Sequence, residues 1–207
     1  YFMKLFFLAL LFFVAASASF KLDFVVVMDT SPSMLSAAQD ACNPNGIAAL
    51  QQVLQNLGID VKMDILSIAD SSSTFSCLTG DVLQDFGGVI PGSDQCGLAG
   101  NGAIESWGPA SAIIADNYPW RSDSLRVIIP HSDEAPCQGD PCGVDDDLSA
   151  ANLINIAHAN NAIICPFIAP ASLGSGPSVC VAALGSSIGQ ATGCDLFFTL
   201  MGVQSTL

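Results

Sequence analysis

The stretch that decides the fold reads Phe24-Val25-Val26-Val27-Met28-Asp29-Thr30-Ser31-Pro32-Ser33-Met34, a short apolar run that ends in an acid and hydroxyl groups. An unbroken run of β-branched and aromatic residues is typical of a central parallel strand with helices on both faces. In open α/β sheets, ligands bind beyond the carboxyl ends of the strands. The stretch therefore predicts a doubly wound, mostly parallel α/β sheet with Asp29, Ser31 and Ser33 at its ligand-binding edge.

A second strand ends in the same way. Residues 124–134 read SLRVIIPHSDE, so an apolar run again breaks into a hydroxyl and acids. Two such strands in one sheet would bring Asp29 and Asp133 to the same edge. Each acid can instead cap the helix that follows it, but two acids at matching strand ends beside two serines favour one shared site.

The donors at this predicted edge are carboxylate and hydroxyl oxygens. Such hard donors suit Mg²⁺, Mn²⁺ or Ca²⁺ better than zinc or copper, which prefer nitrogen and sulfur ligands. We therefore expect a divalent cation at the edge, with magnesium as the first candidate.

Strands and helices are predicted to alternate along the rest of the chain. Helical spacing covers 47–57 and strand-like alternation covers 59–69, whereas 34–46 reads as an irregular connection. The further predicted segments are a short strand at 73–77, a short helix at 80–86, a helix at 103–115, a helix at 148–158 capped by the acids at 145–147, a strand at 162–168, a helix at 178–190 and a strand at 195–200. This alternation predicts one α/β domain.

The composition restricts the partners. The chain of 207 residues has 19 acidic residues against five Lys and Arg, a formal net charge of −14. Such a surface repels phosphate backbones and anionic lipid, so we expect neither nucleic acid binding nor membrane insertion of the mature chain. Cations are the natural partners of this surface.

The first residues are typical of an export signal. A lysine, an apolar run and an Ala-x-Ala motif follow one another up to Ala18. The apolar run is shorter than the roughly 20 residues that span a bilayer, so a cleaved signal is favoured over an anchor. We expect a signal peptide at 1–18, a domain at 19–207, and a secreted or cell-surface protein.

The eight cysteines are expected to form disulfides, as in other exported proteins. They lack the closely paired spacing of zinc ligands. A local Cys137–Cys142 bridge is the first expectation, with Cys180–Cys194 and Cys77–Cys96 as further candidates, although spacing alone does not determine connectivity.

The motifs resemble those of the von Willebrand factor type A domains, over about residues 24 to 200. Asp29-x-Ser31-x-Ser33 resembles the first loop of the family's metal-ion-dependent adhesion site, and Val127–Glu134 resembles its strand that ends in Thr-Asp. Gly58–Val61 and Ala191–Gly193 resemble two further elements in family order. The resemblance implies a doubly wound sheet in which Asp29, Ser31, Ser33 and Asp133 surround a divalent ion, some of them through water.

The chain departs from the family pattern in the second loop. The family often supplies a Thr there, but none occurs between Gly97 and Pro109. Glu105 is the best substitute, with Asn101 and Ser106 as alternatives. A third carboxylate would strengthen cation binding and weaken the pull of the ion on a partner's carboxylate, which leaves the choice between Mg²⁺ and Ca²⁺ open.

The resemblance implies binding rather than catalysis. An Asp or Glu of a protein partner would complete the coordination of the ion. The alternative is a structural subunit of an extracellular matrix, wall or filament, in which the chain self-assembles and the ion only stabilises it. A hydrolase is disfavoured: Gly185–Gly189 matches Gly-x-Ser-x-Gly, but no His follows Ser187. A metal-dependent hydrolase would also need a positioned general base.

Overall fold

The computed structural model describes residues 20–69, 75–94, 96–98, 105–137, 142–169 and 179–195. The predicted signal peptide and most of the predicted strand at 195–200 lie outside these ranges. So does Asn101.

Among the residues described, the centre of the structure is a parallel sheet of six strands. These are β1 (Lys21–Met28), β2 (Asp60–Ser67), β3 (Gly80–Asp81), β4 (Ser124–Ser132), β5 (Ala162–Ile164) and β6 (Phe167–Ile168). The order is β3-β2-β1-β4-β5, and β6 also pairs with β4. All the strand pairs are parallel. The predicted α/β fold is therefore confirmed.

Helices cover both faces of the sheet. Within the described residues they are α1 (Leu35–Cys42), α2 (Ile47–Asn56), α3 (Val82–Phe86), α4 (Trp107–Asn117), α5 (Val144–Ala159) and α6 (Val179–Thr192), with a 3₁₀ turn at Pro32–Met34 before α1. One apolar core lies between the sheet and α3 to α6, and a second lies between the sheet and α1 and α2.

Strand β1 is central because two strands lie on each side of it in the order of the sheet. All eight of its residues pair with β2 on one side and with β4 on the other. Val25 and Val27 face one core, while Phe24, Val26 and Met28 face the second. Both faces are buried, which explains why the sequence of β1 shows no alternation.

The strand order places a topological switch between β1 and β4. The chain moves from β1 outward to β3 and then returns to build β4 and β5 on the other side of β1. The loops that leave β1 and β4 therefore lead to helices on opposite faces of the sheet, and the ends of two such strands are where open α/β sheets form their ligand crevice. The segments Asp29–Ser33 and Asp133–Glu134 begin at that crevice.

Some predicted segments need correction. Residues 34–46 are not irregular, because they contain α1. Met34 and Ala38 lie one helical turn apart and are both fully buried, a short signal that Asn43 and Pro44 obscured. The predicted strand at 162–168 is split at Cys165-Pro166, where proline cannot donate to the ladder. Residues 75–77 form no strand.

The three acids at 145–147 lie in the first turn of α5, as predicted. The carboxylate of Asp146 accepts hydrogen bonds from the N–H groups of Gly143 and Cys137, both at 2.8 Å. Acids at this end of a helix also compensate its dipole. Asp146 thus holds the preceding loop against α5.

The predicted disulfide pairs are wrong. The bridges are Cys42–Cys77, Cys96–Cys137, Cys142–Cys180 and Cys165–Cys194, with Cα atoms 5.1 to 6.2 Å apart. Each joins cysteines 29 to 41 residues apart, from elements that only the tertiary fold brings together. Cys165, for example, follows β5 and Cys194 follows α6.

Four disulfides indicate an oxidising, extracellular type of environment. None of the helices in the described ranges combines the length and the apolar character needed to cross a bilayer.

Candidate metal centre

The register of β1 and β4 brings the two predicted acids to one edge. Met28 is paired with His131, and the next N–H, that of Asp29, donates to the carbonyl of His131 at 3.0 Å. Asp29 and Asp133 therefore follow directly from adjacent strand ends. The expectation that two acid-tipped strands meet at the same edge is confirmed.

The carboxylate of Asp29 is buried and held at both oxygens. Its Oδ1 accepts the N–H of Ser31 at 2.8 Å, and its Oδ2 accepts the hydroxyl of Ser132 at 2.7 Å. Burial raises the pKa of Asp29 to about 6, although the hydrogen bonds from Ser132 and Ser31 lower it. The charge of Asp133 adds to the increase. The structure thus contains a buried acid that is costly to ionise without a cation.

The backbone N–H of Ser31 and the hydroxyl groups of Ser31 and Ser33 connect the two acids. The Oγ atoms of Ser31 and Ser33 are hydrogen-bonded at 2.9 Å, and the Ser33 hydroxyl donates to Oδ1 of Asp133 at 3.2 Å. Asp29, Ser31, Ser33 and Asp133 therefore form one continuous hydrogen-bonded chain, which we call the acid–serine chain. Its oxygens converge from the loops after β1 and β4.

Glu105 is near this chain but is not hydrogen-bonded into it by any contact of the described residues. Burial raises the pKa of Glu105, and the charges of Asp29 and Asp133 raise it further. Among the described residues, however, no three or more His, Cys, Asp or Glu side chains lie close enough to hold a metal ion together. The structure thus joins four predicted donors through hydrogen bonds and brings Glu105 into electrostatic range only.

The alternative donor Ser106 is occupied elsewhere. Its hydroxyl is buried and donates to the carbonyl of Cys137 at 2.9 Å. This bond ties the start of α4 to the loop after β4, so Ser106 has a structural role.

Sequence reasoning missed Ser132 as a residue of the site. It is fully buried, donates to Asp29 and accepts the N–H of Glu134 at 3.0 Å. The signal was present, because Ser132 is the hydroxyl at which the second apolar strand breaks. Its role becomes visible only once β1 and β4 are adjacent.

The basic side chains of the described residues lie toward the opposite edge of the sheet. Lys21 and Arg126 lie at the amino ends of their strands, and Arg121 pairs with Asp23 at 2.6 Å and with Asp60 at 2.8 Å. The Lys62 ammonium lies over the Tyr118 ring, 4.2 Å from its centroid. No ion pair of the described part of the chain joins a Lys or Arg to Asp29, Asp133 or Glu105.

This arrangement fits a hard cation. A buried carboxylate must be protonated or must find a positive charge, and the described basic groups are elsewhere. Two carboxylates and two hydroxyls around one crevice are oxygen donors of the type that Mg²⁺ and Ca²⁺ take, with water in the remaining positions.

Neither models of known protein families, nor curated proteins, nor solved structures match this chain. The resemblance to the von Willebrand factor type A domains therefore stays a prediction from the motifs.

Two further motifs have structural roles. The hydroxyl of Thr192, in the Ala191–Gly193 segment, accepts the N–H of Ile164 at 3.0 Å and so ties the end of α6 to β5. Ser187 lies within α6 and not at a turn between a strand and a helix, as a nucleophile elbow would require.

The imidazoles are not part of the acid–serine chain. His158 contacts the carbonyl of Ala191 through Nε2 at 2.8 Å. His131 packs on the Phe167 ring, with centroids 5.1 Å apart, and its burial lowers its pKa to about 4.

Proposed function

We propose that the acid–serine chain binds a divalent metal ion and that an Asp or Glu of a protein partner completes the coordination. The domain would then be a cation-dependent binding or adhesion module. The observation that carries this proposal is the hydrogen-bonded convergence of Asp29, Ser31, Ser33 and Asp133 at the switch between β1 and β4. In this proposal the ion replaces the contacts that these side chains make with one another.

The position of the chain supports binding to a partner. It lies at a crevice where open α/β sheets take their ligands, and the oxygens come from two loops instead of a closed cage. A hard ion in such a site keeps water molecules that a partner's carboxylate can replace. We therefore propose binding and not turnover, without a catalytic role for His131 or His158.

Glu105 would act on the ion through its charge. The charges of Asp29 and Asp133 raise the pKa of Glu105, which supports a role for its charge at the ion. A third negative charge raises the affinity for Mg²⁺, Ca²⁺ or Mn²⁺. Glu105 would contact the ion through water or after a local shift of the segment that precedes α4.

We propose that the protein acts outside the cell, as a secreted or surface protein. The four disulfides support this location, as does the signal-like sequence at 1–18. The net charge of −14 supports a partner other than nucleic acid or an anionic membrane.

The second candidate is a structural subunit of a matrix, wall or filament that self-assembles. The four bridges favour it, because they link elements around the whole sheet and stabilise the domain with or without an ion. In that case the ion would add stability and assembly would not depend on it.

The test is calorimetric titration of the protein with Mg²⁺, Ca²⁺ and Mn²⁺, with Asp29→Asn as the variant. Asp81→Asn is the matched control, since Asp81 is also buried and accepts a serine hydroxyl at 2.7 Å and a backbone N–H at 3.0 Å. We expect Asp29→Asn to abolish ion binding and Asp81→Asn to retain it. Equal binding by wild type and Asp29→Asn would refute the metal site.

A second measurement separates the two candidates. Ion binding by the wild type, together with self-assembly that persists in a chelator, would favour the structural subunit. Loss of partner binding or of assembly on chelation would favour the adhesion module.

A further inference from the structure

The start of α4 is joined to the loop after β4 by hydrogen bonds from consecutive residues. Each residue donates one bond of 2.9 Å to a backbone carbonyl of the loop: Ser106 to Cys137, Trp107 to Glu134, and Gly108 to Pro136. The donors are, in that order, a hydroxyl, the indole Nε1–H and a backbone N–H. We call residues 106–108 together with 134–137 the loop clamp.

The loop clamp is buried and closely packed. Trp107 is fully buried, and Gly108 leaves no room for a side chain. A Cβ at Gly108 would collide with the Oγ of Ser149 and lie 2.9 Å from the carbonyl oxygen of Pro136. Asp146 also holds the far end of the loop against α5. A shift of α4 relative to the loop would therefore disturb all these contacts together.

Each side of the clamp carries one acid of the candidate site. Glu105 directly precedes Ser106, and Asp133 directly precedes Glu134. The clamp thus fixes the backbone of Glu105 relative to that of Asp133. Among the described residues, no three acids lie close enough to hold an ion together. At this fixed separation, Glu105 would reach the ion through water and not by direct contact.

The two candidate ions respond differently to such a constraint. Mg²⁺ requires nearly ideal octahedral geometry and gives up its water molecules reluctantly, whereas Ca²⁺ accepts more oxygen ligands in a flexible arrangement. A carboxylate that is held at the distance of a water-mediated contact suits Mg²⁺. A carboxylate that is free to approach would add a direct ligand and favour Ca²⁺.

We propose that Trp107 is a positioning residue that sets the ion preference of the candidate site. Its indole bond closes the loop clamp, and the clamp keeps Glu105 from becoming a direct ligand, so that Mg²⁺ is favoured over Ca²⁺. This inference rests on the proposed ion site. It assigns the discrimination between ions to the clamp and not to a further ligand.

The test is calorimetric titration of the full chain with Mg²⁺ and with Ca²⁺. Trp107→Phe keeps an aromatic ring and removes the indole donor, so Mg²⁺ affinity should fall by roughly five-fold, the usual size of one hydrogen bond. Ca²⁺ affinity should stay the same or rise. Gly108→Ala pushes the loop and α4 apart by another route and should lower the Mg²⁺/Ca²⁺ affinity ratio in the same direction. Thermal melting verifies that each variant is folded.

Two controls separate positioning from general loss of stability. Trp120 is the other tryptophan of the chain, and its Nε1–H donates to the carbonyl of Ala115 at 3.1 Å, beside Arg126 at the amino ends of the strands. Trp120→Phe should therefore keep the wild-type ratio. In a Glu105→Gln background, Trp107→Phe should no longer change the ratio, because the residue through which it acts has lost its charge.

A measurement without metal tests the clamp itself. In a chelator, the N–H of Gly108 should exchange its hydrogen faster in Trp107→Phe than in the wild type, while the N–H groups of β1 stay protected. Unchanged exchange at Gly108 would mean that the contacts are independent of one another, and the rigid clamp would be wrong.

The remaining outcomes distinguish this inference from the proposed function. If the wild type binds ions, the inference fails when folded Trp107→Phe and Gly108→Ala keep the wild-type ratio. It also fails when Trp120→Phe, or Trp107→Phe in the Glu105→Gln background, shifts the ratio equally. The ion site itself would stand in these cases. Absence of ion binding by the wild type would instead refute the proposed function, and this inference with it.

Discussion

The hydroxyl of Ser132 donates to the carboxylate of Asp29 at 2.7 Å, although 103 residues separate the two in the sequence. This bond links the ends of the two strands at which the topology of the sheet switches. The local turn satisfies Oδ1 of Asp29 through the N–H of Ser31, whereas Oδ2 receives its hydrogen bond from the distant Ser132. The carboxylate of Asp29 is therefore held in position without an ion or a partner.

Replacing Ser132 by alanine should affect both stability and ion binding. Oδ2 of Asp29 would lose its buried donor, which costs about 1 to 3 kcal/mol in the free energy of unfolding. We expect ion affinity to fall as well, because the carboxylate is no longer oriented. Denaturant unfolding and calorimetric titration measure the two effects.

The control is Ser67→Ala, because the Ser67 hydroxyl donates to buried Asp81 at the same distance of 2.7 Å. It should cost similar stability and leave ion affinity intact. A loss of ion affinity in the control, or none in Ser132→Ala, would contradict the proposed role of Ser132.

Without metal, Asp29 and His131 should make opposite contributions to the pH dependence of stability. The folded-state pKa of Asp29 is raised to about 6, so its ionisation destabilises the fold, and stability is gained as the pH falls from 6 toward 4. The folded-state pKa of His131 is lowered to about 4 from 6.5, so the unfolded state takes up its proton first, and stability is lost as the pH falls through the same range.

The two contributions largely cancel in the wild type. As the pH falls from 6.5 to 4, the free energy of unfolding of Asp29→Asn should fall by about 1 kcal/mol or more relative to that of the wild type. That of His131→Phe should rise relative to the wild type over the same range. Denaturant unfolding in a chelator at several pH values measures this. Parallel pH profiles for the wild type and both variants would contradict the assignment.

Arg121 should be essential for stability and irrelevant to the ion. Its Nε donates to buried Asp23 at 2.6 Å, and its backbone N–H donates to the other carboxylate oxygen, also at 2.6 Å. Arg121→Ala would leave a buried acid without its cation, which costs about 3 to 5 kcal/mol. Calorimetry of the folded variant should give the wild-type ion affinity, and a large change would mean that the two edges of the sheet are coupled.

Peptide mapping without reduction should recover Cys137 linked to Cys96, and Cys142 linked to Cys180. Removing the Cys96–Cys137 bridge by a double Ser substitution should lower stability by about 4 kcal/mol, because the bridge closes a loop of 41 residues in the unfolded chain. A Cys137–Cys142 fragment in the map would contradict the pairing.

The sequence predicted the central strand and its edge well, because both signals are local. Residues 24–28 carry an unbroken apolar run that only two-sided burial explains, and the polar residues at 29–33 follow at once. The same pattern, an apolar run that ends in a hydroxyl and acids, also predicted β4 and Asp133. Helix α1 was missed, since its buried face consists of only a few small or flexible residues beside Asn43 and Pro44.

The amino-acid sequence by itself determined the class of the sheet, the strands that end in acids, and the oxygen chemistry of the candidate site, because periodicity and residue type act over a few neighbouring positions. Only the tertiary structure decided the partner of each cysteine, the bond from Ser132 to Asp29, and the contacts of the loop clamp. These depend on which distant segments become neighbours, and that is set by the pairing of β1 with β4 and by the helices packed on each face. The site at the edge thus follows from local chemistry, and its geometry follows from the order of the strands.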